Sequence, residues 1–253
     1  MKPIYKLLLA AVPVVLVAAC GGGDDSLDDR LDIADPKVRF VHAIPAGPNV
    51  DLLRNGTVVG GVANAPYKYA SHYFDVDTAP ADYTVRTTTG NVTVGTINFN
   101  PTRGNKHTLI AVPGDATTPN LLRIDDPYDK QLTATNGRVR VVNASFNATN
   151  VDVYLTGPTV DIATVGPNFA AVGFRNAVPA SGSNSNDFTA GSYVLRVTTA
   201  GTKNVIFSAP VSVATNADLL LLTLPNSLAP NDVKILSVTA DSGQASTEIF
   251  NTP

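Results

Sequence analysis

The chain contains itself twice, and no other property of the sequence restricts its fold as much. Residues 38–53, VRFVHAIPAGPNVDLL, align without a gap on residues 139–154, VRVVNASFNATNVDVY, with seven identities in 16 positions where chance gives about one. The identities are Val38/Val139, Arg39/Arg140, Val41/Val142, Ala43/Ala144, Asn49/Asn150, Val50/Val151 and Asp51/Asp152. YTVRTTT at 83–89 returns as YVLRVTT at 193–199, and LIAVP at 109–113 as LLTLP at 221–225. Between the first two blocks the offset grows from 101 to 110 residues. The nine extra residues are expected around Ser181–Asp187, where GSNSND has a loop composition. Two homologous domains follow, at 37–130 and 137–253, each long enough to bury a core.

Each copy is written in strands. Val38–Ala43, Val50–Leu53, Tyr83–Thr88, Val92–Phe99 and Thr108–Val112 are short runs rich in Val, Ile, Thr and Tyr between Gly, Pro, Asn and Asp clusters. Apolar and polar residues alternate in Tyr83-Thr84-Val85-Arg86 and in Val92-Thr93-Val94, as one buried and one wet face require. No stretch pairs a 3.6-residue period with a cap, so helix is limited to a turn or two. About seven strands per copy match the size of an immunoglobulin-like sandwich. The expected fold class is all-β, with two tandem immunoglobulin-like antiparallel β-sandwich domains.

Ahead of the repeats stand Lys2 and Lys6, an apolar run from Leu7 to Ala19, and Cys20, the one cysteine in 253 residues. A basic start, a short apolar stretch and small residues before a cut site are the parts of a secretory leader, here 1–19. The run is too short for a spanning helix, which needs about 20 residues. Leu16-Val17-Ala18-Ala19-Cys20 resembles the lipobox of bacterial lipoproteins. That resemblance implies cleavage before Cys20, which becomes the mature N-terminus and carries three acyl chains, palmitate among them. Several chains are needed because a single one holds a protein only marginally. With Cys20 lipidated, no cysteine is left for disulfides. Gly21, in place of an aspartate, resembles the signal that releases such proteins to the outer membrane of a Gram-negative cell.

Residues 20–36 read as a flexible acidic tether. Gly21-Gly22-Gly23 is followed by Asp24, Asp25, Asp28, Asp29, Asp32 and Asp35-Pro36. Such a segment averages about 20 Å end to end and stretches to roughly 55 Å. It lacks the glycine and terminal glutamate of an EF-hand loop. Losing the leader removes two of 18 basic residues and none of 21 acidic ones, moving the formal charge from -3 to -5. No Lys/Arg cluster occurs, which disfavours nucleic acid as a partner and leaves the acyl chains as the membrane attachment.

VRFVHA at 38–43, the proline-containing turn after it, Val50-Asp51-Leu52, Asn55-Gly56 and Tyr83-Thr84-Val85 resemble the bacterial family called domain of unknown function 4397. The second copy carries the resemblance at VRVVNAS, NVDVY and Ala190-Gly191-Ser192-Tyr193-Val194. The resemblance implies an exported or cell-surface β-sandwich, often in tandem, with no assigned chemistry. The chain departs from the pattern where His42 becomes Asn143 and where Asp82 precedes Tyr83.

Arg39 and Asp51 recur as Arg140 and Asp152 at the same spacing, suggesting a structural charged pair across neighbouring strands. Arg86 and Arg196 recur likewise, as strand-surface or loop-anchoring residues. Tyr67, Tyr69 and Tyr73 form the one aromatic concentration. They either cover the core or contact the other domain, or they present ring faces and hydroxyls to a glycan. His72, Asp75 and Asp77 are the best metal candidates, against a plain solvated strand. No G-x-S-x-G, HExxH, phosphate-loop or CxxC pattern occurs, so no catalytic residue and no cofactor is assigned. The expected function is a lipid-anchored, non-enzymatic structural or protein-interaction module. The alternatives are a glycan- or peptidoglycan-binding module and, third, an extracytoplasmic hydrolase.

Overall fold

The computed structural model describes residues 34–114, 120–128, 135–240 and 246–252. The leader, Cys20 and all of the tether but its last three residues lie outside the described residues. The first sandwich is built from β1 (Lys37–His42), β2 (Val50–Arg54), β3 (Thr57–Val58), β4 (Phe74–Asp75), β5 (Ala81–Thr87), β6 (Thr93–Phe99), β7 (Lys106–Ala111) and β8 (Leu121–Asp126). One sheet has the order β3-β2-β5-β6 and the other β4-β1-β7-β8. The strands read from the alternation lie within two residues of these bounds. The β2–β3 hairpin turns on Asn55 (φ 50°) and Gly56 (φ 79°), both in the left-handed region that a two-residue turn of matching twist requires.

The second sandwich uses β9 (Asn136–Asn143), β10 (Asn150–Thr156), β11 (Phe169–Gly173), β12 (Ala177–Val178), β13 (Asn186–Thr189), β14 (Gly191–Thr199), β15 (Val205–Val213), β16 (Asp218–Pro225), β17 (Val233–Val238) and β18 (Ser246–Ile249). Its sheets have the orders β11-β10-β14-β15 and β12-β9-β16-β17-β18, with β13 also pairing β9. The sandwich architecture is as expected, but it is not antiparallel throughout. β1 runs parallel to β7, with Val41 opposite Ile110, and β9 runs parallel to β16, with Val142 opposite Leu222. Parallel neighbours need a long connection, and here the chain crosses to the other sheet and back between them.

The length difference between the sandwiches arises at two places rather than at the single loop expected. The Asp51–Asn64 contact spans 13 residues and its counterpart Asp152–Ala171 spans 19. The longer span includes a 3-10 turn at Ile162–Thr164. Between the pairs that tie β1 to Ala70 and to Phe74 lie four residue steps; between those tying β9 to Ala177 and to Asn186 lie nine. A shorter link into β14 partly offsets the two insertions.

Four sheets stack in four layers with three apolar interiors. Val38, Phe40, Leu52, Tyr83, Val85 and Leu109 fill the first sandwich, and Val139, Val141, Val153, Leu195, Phe207 and Leu221 fill the second. The third interior lies between the sandwiches. Val41, Ala43, Ile110, Val112 and Ile124 from the first pack against Val142, Ala144, Leu220, Leu222, Leu224, Leu236 and Val238 from the second. Successive residues of β1, β7, β9 and β16 therefore enter different interiors, and these strands are buried almost end to end. A sheet covered on both faces demands such runs. β5 and β6, in an outer layer, alternate between buried and open positions.

Leu222 is fully buried in the seam and belongs to neither sandwich's own core. Leu222→Ala is expected to cost about 2–5 kcal/mol. Amide exchange in β5 and β14, which lie in different sandwiches, should accelerate together. Acceleration confined to β14 would show that the seam does not couple the two.

Candidate functional site

The densest group of charged side chains lies at one end of the seam. Arg39, Lys106, Arg138 and Arg140 are each no more than 5% exposed. They stand on β1, β7 and β9 at positions where the strand turns its face towards the other sandwich. Arg39 Nε donates to Thr108 Oγ1 at 2.9 Å and its Nη1 to the Thr239 carbonyl at 3.2 Å, while its guanidinium lies 4.6 Å over the Tyr73 ring. Arg140 Nη2 donates to Asp126 Oδ2 at 3.2 Å, and its Nη1 to the carbonyls of Pro179 and Ala180. Arg138 Nη2 donates to Asn184 Oδ1 at 3.0 Å and lies 3.7 Å from Asp126 Oδ1. Lys106 Nζ is 3.7 Å from Asp218 Oδ2 and 3.5 Å from the centre of the Tyr128 ring. Arg39, Lys106, Asp126, Tyr128, Arg140 and Asp218 line a cavity of about 20 Å³, room for one water.

The insertion between β12 and β13 closes this end. Ser185 Oγ donates to Asp126 Oδ2 at 2.7 Å, the Asp125 N–H donates to Ser181 Oγ at 2.8 Å, and the Gly182 N–H donates to the Asp125 carbonyl at 2.8 Å. Both backbone groups of Asp125 on edge strand β8 are thus satisfied from the second sandwich, which blunts that edge. Burial raises the Asp125 carboxyl pKa, but hydrogen bonding to His107 (2.7 Å) and the charge of Arg123 (3.0 Å) outweigh it and hold it below the ordinary value. Towards the other end, Lys68 binds Glu248, and Ser246 Oγ donates to the Lys68 carbonyl at 2.7 Å.

The recurring residues have separate tasks. Arg39 and Asp51 do not meet, because β1 and β2 belong to different sheets; the same holds for Arg140 and Asp152 on β9 and β10. The expected charged pair is replaced by two independent devices. The arginines enter the seam. The aspartates tie loops: Asp51 Oδ1 accepts from the Asn64 N–H and the Thr88 hydroxyl, both at 2.8 Å. Asp152 accepts from the N–H groups of Ala171 at 2.7 Å and Gly201 at 2.8 Å. Asn64 (φ 54°) and Ala171 (φ 50°) both hold left-handed backbone at that contact. The hydrogen bond from Asn64 is the main cause that lowers the Asp51 pKa, with Thr88 and Arg86 adding to it. Arg86 Nε lies 3.7 Å from Asp51, whereas Arg196 donates to Thr156 Oγ1 at 2.9 Å.

The departure of Asn143 from His42 preserves a shared role. His42 Nδ1 accepts from the Ile44 N–H at 3.3 Å and its Nε2–H donates to the Pro48 carbonyl at 3.1 Å. Asn143 Oδ1 accepts from the Ser145 N–H at 3.0 Å and its Nδ2 donates to the Ala148 carbonyl at 2.7 Å. One acceptor and one donor at the end of the first strand shape the following turn in both sandwiches.

The three tyrosines do not share a face. Tyr67 packs on the seam, and burial pushes its phenol up to about 12. Tyr69 packs on the first sandwich's core and donates to the Gly61 carbonyl. Tyr73 lines the charged cavity, and burial raises it to about 12 despite Arg39. Of the metal candidates, Asp75 binds Lys37 at 3.0 Å and Asp77 binds Arg54 at 2.6 Å, while His72 is exposed. No group of three His, Cys, Asp or Glu side chains placed for a metal occurs among the described residues. A shallow depression of about 370 Å³ beside the end of the tether is lined by some of these pairs, with Asp35 3.3 Å from Arg103.

Sequence reading missed Lys106, Asp126, Tyr128 and Asp218. The available signal was a charge opening each of two buried strands, KHTLIA and DLLLLTLP, at matching places in the repeat.

Strand order, the three interiors and the closed charged seam define an all-β protein of stacked sandwiches. Residues 36–154 match the model of DUF4397, a domain of unknown function. The match passes through the whole first sandwich and ends in β10. No curated protein matches the chain. No helix among the described residues is long and apolar enough to cross a membrane.

Three variants test these assignments. Burial lowers the His42 pKa below 6.5, an effect the hydrogen bond to Pro48 only partly opposes. The unfolded chain therefore gains a proton near pH 6.5 that the folded imidazole resists, so stability is whole above pH 6.5 and falls as pH drops below it. His42→Asn should remove that fall, seen as a smaller loss of urea midpoint than wild type between about pH 6.5 and 5. Asp152→Ala strands the N–H groups of Ala171 and Gly201 and should cost about 1–3 kcal/mol, partly recovered in Asp152→Asn. Thermal unfolding of the three proteins measures the difference.

Proposed function

We propose that the chain is a lipid-anchored cell-envelope protein. It is exported under the 1–19 leader, acylated at Cys20, and works outside the cytoplasm as a non-enzymatic structural or protein-interaction module. The observation that supports this reading is the use of the charged side chains. Their densest cluster is enclosed in a seam that admits one water, and the residues recurring between the sandwiches are committed to loops and to that seam. The partners are a membrane, reached through the acyl chains, and an envelope protein; in a Gram-negative host the membrane is the outer one. A formal charge of -5 after leader removal, with Arg39, Lys106, Arg138 and Arg140 buried in the seam, speaks against nucleic acid. The glycan reading would need Tyr67, Tyr69 and Tyr73 on one surface, and their three separate settings do not favour it.

We also infer that residues 137–253 are a second copy of the same family domain and that both sandwiches are of immunoglobulin-like kind. The repeated VRxV and NVD blocks and the parallel strand pair in each sandwich support this.

Cross-linking intact cells and recovering the protein by a tag after Pro253 tests the function. An envelope protein captured with wild type and lost with Cys20→Ser is the expected result, together with Cys20→Ser moving from the membrane to the soluble fraction. Recovery of peptidoglycan or polysaccharide in place of protein would overturn the interaction reading.

A further inference from the structure

The two faces that meet in the seam are built from the same positions. Pairing of β1 with β7 sets Lys37 opposite Lys106, and pairing of β9 with β16 sets Arg138 opposite Asp218. Lys106 and Asp218 thus hold the same place in their sheets. In the apolar part of the seam Val41 answers Val142, Ala43 answers Ala144, and Ile110 answers Leu222. The reaches between sandwiches are reciprocal as well. Arg39 contacts Thr239, just past β17, and Arg140 contacts Asp126, at the end of β8. Contacts exchanged in both directions between like surfaces mark an isologous interface about a local two-fold axis. On such an axis a residue meets its own counterpart, and Lys106 and Asp218 do so at 3.7 Å with opposite charges.

We propose that the seam face is a self-docking surface whose fitting partner is another domain of this same kind. Lys106 and Asp218 are its specificity pair, directing a first sandwich to a second sandwich and away from a copy of itself. Two first sandwiches meeting this way would set Lys106 against Lys106, and two second sandwiches Asp218 against Asp218. Both side chains are largely enclosed, at 2% and 14% exposure, where solvent screens like charges poorly. Like-charge juxtaposition across an interface suppresses the wrong pairing, and a matched pair fixes the register. This inference does not depend on the lipid anchor or on the envelope partner.

The test uses the full chain with a protease site placed within residues 130–134. After cutting, the wild-type halves should co-elute on size exclusion at micromolar concentration. Lys106→Asp and Asp218→Lys should each weaken association of the cut halves about tenfold or more. The double variant Lys106→Asp/Asp218→Lys should restore it. Circular dichroism of each uncut chain reports whether a variant still folds, and the double variant separates lost specificity from simple damage. Wild-type halves that part on cutting would overturn the docking surface. Single variants with unchanged association, or a double variant no tighter than the singles, would overturn the specificity pair.

Discussion

Two of the four sheets carry apolar side chains on both faces, and most of the molecule's other features are consequences of that double burial. β1, β7, β9 and β16 cannot alternate apolar with polar residues, because each phase of the pleat enters an interior. Charged residues at the ends of these strands are then enclosed and require partners from the opposite sandwich. Arg140 finds Asp126, Arg39 finds the Thr239 carbonyl, and Lys106 lies beside Asp218. Breaking a buried ion pair on one side costs far more than the pair contributes against an apolar substitute, so such groups hold the seam in one register more than they strengthen it. The loop between β12 and β13 completes this by supplying backbone and hydroxyl partners to β8 and its Asp126.

Within each sandwich a second economy operates through local polar contacts at the loops. His42 and Asn143 differ in chemistry and charge behaviour, yet each accepts from a backbone N–H two residues on and donates to a carbonyl of the same turn. Asp51 and Asp152 each steady a residue of left-handed backbone in the connection from their own strand. Outward-facing positions on β5 and β6, such as Thr84, Thr96, Asp82 and Asn98, are polar and bond to one another.

Much of the strand pattern was legible in the sequence because outer strands such as β5 obey the alternation that one wet face imposes. Asn55-Gly56, noted in the sequence only for its family resemblance, carries the β2–β3 turn for a local steric reason. The seam was not legible. LIAV and LLLLTL read as one continuous apolar run whether a strand feeds one interior or two, and nothing local tells which alternate residues face the other sandwich. Arg39 and Asp51 were expected to pair because equal spacing suggests proximity. Equal spacing between copies says only that both keep the same fold, and the pleat and the change of sheet between β1 and β2 keep the two side chains apart. The three tyrosines looked like one surface for a similar reason. They fall in a segment with little regular structure before β4, where alternation does not predict direction.

The shared interior also sets the timing of folding. A chain is made N-terminus first, and the first sandwich can close its own core once β8 is complete. Its seam face, with Val41, Ile110 and Ile124, then stays bare until β16 and β17 have been synthesised. At roughly 5–20 residues per second that interval is on the order of 10 s. During it the half-made protein carries a flat apolar sheet of the kind that seeks another sheet, and neighbouring nascent chains offer the same surface. The permanent partner of the first sandwich arrives last, tethered to it, at a local concentration no separate chain can match.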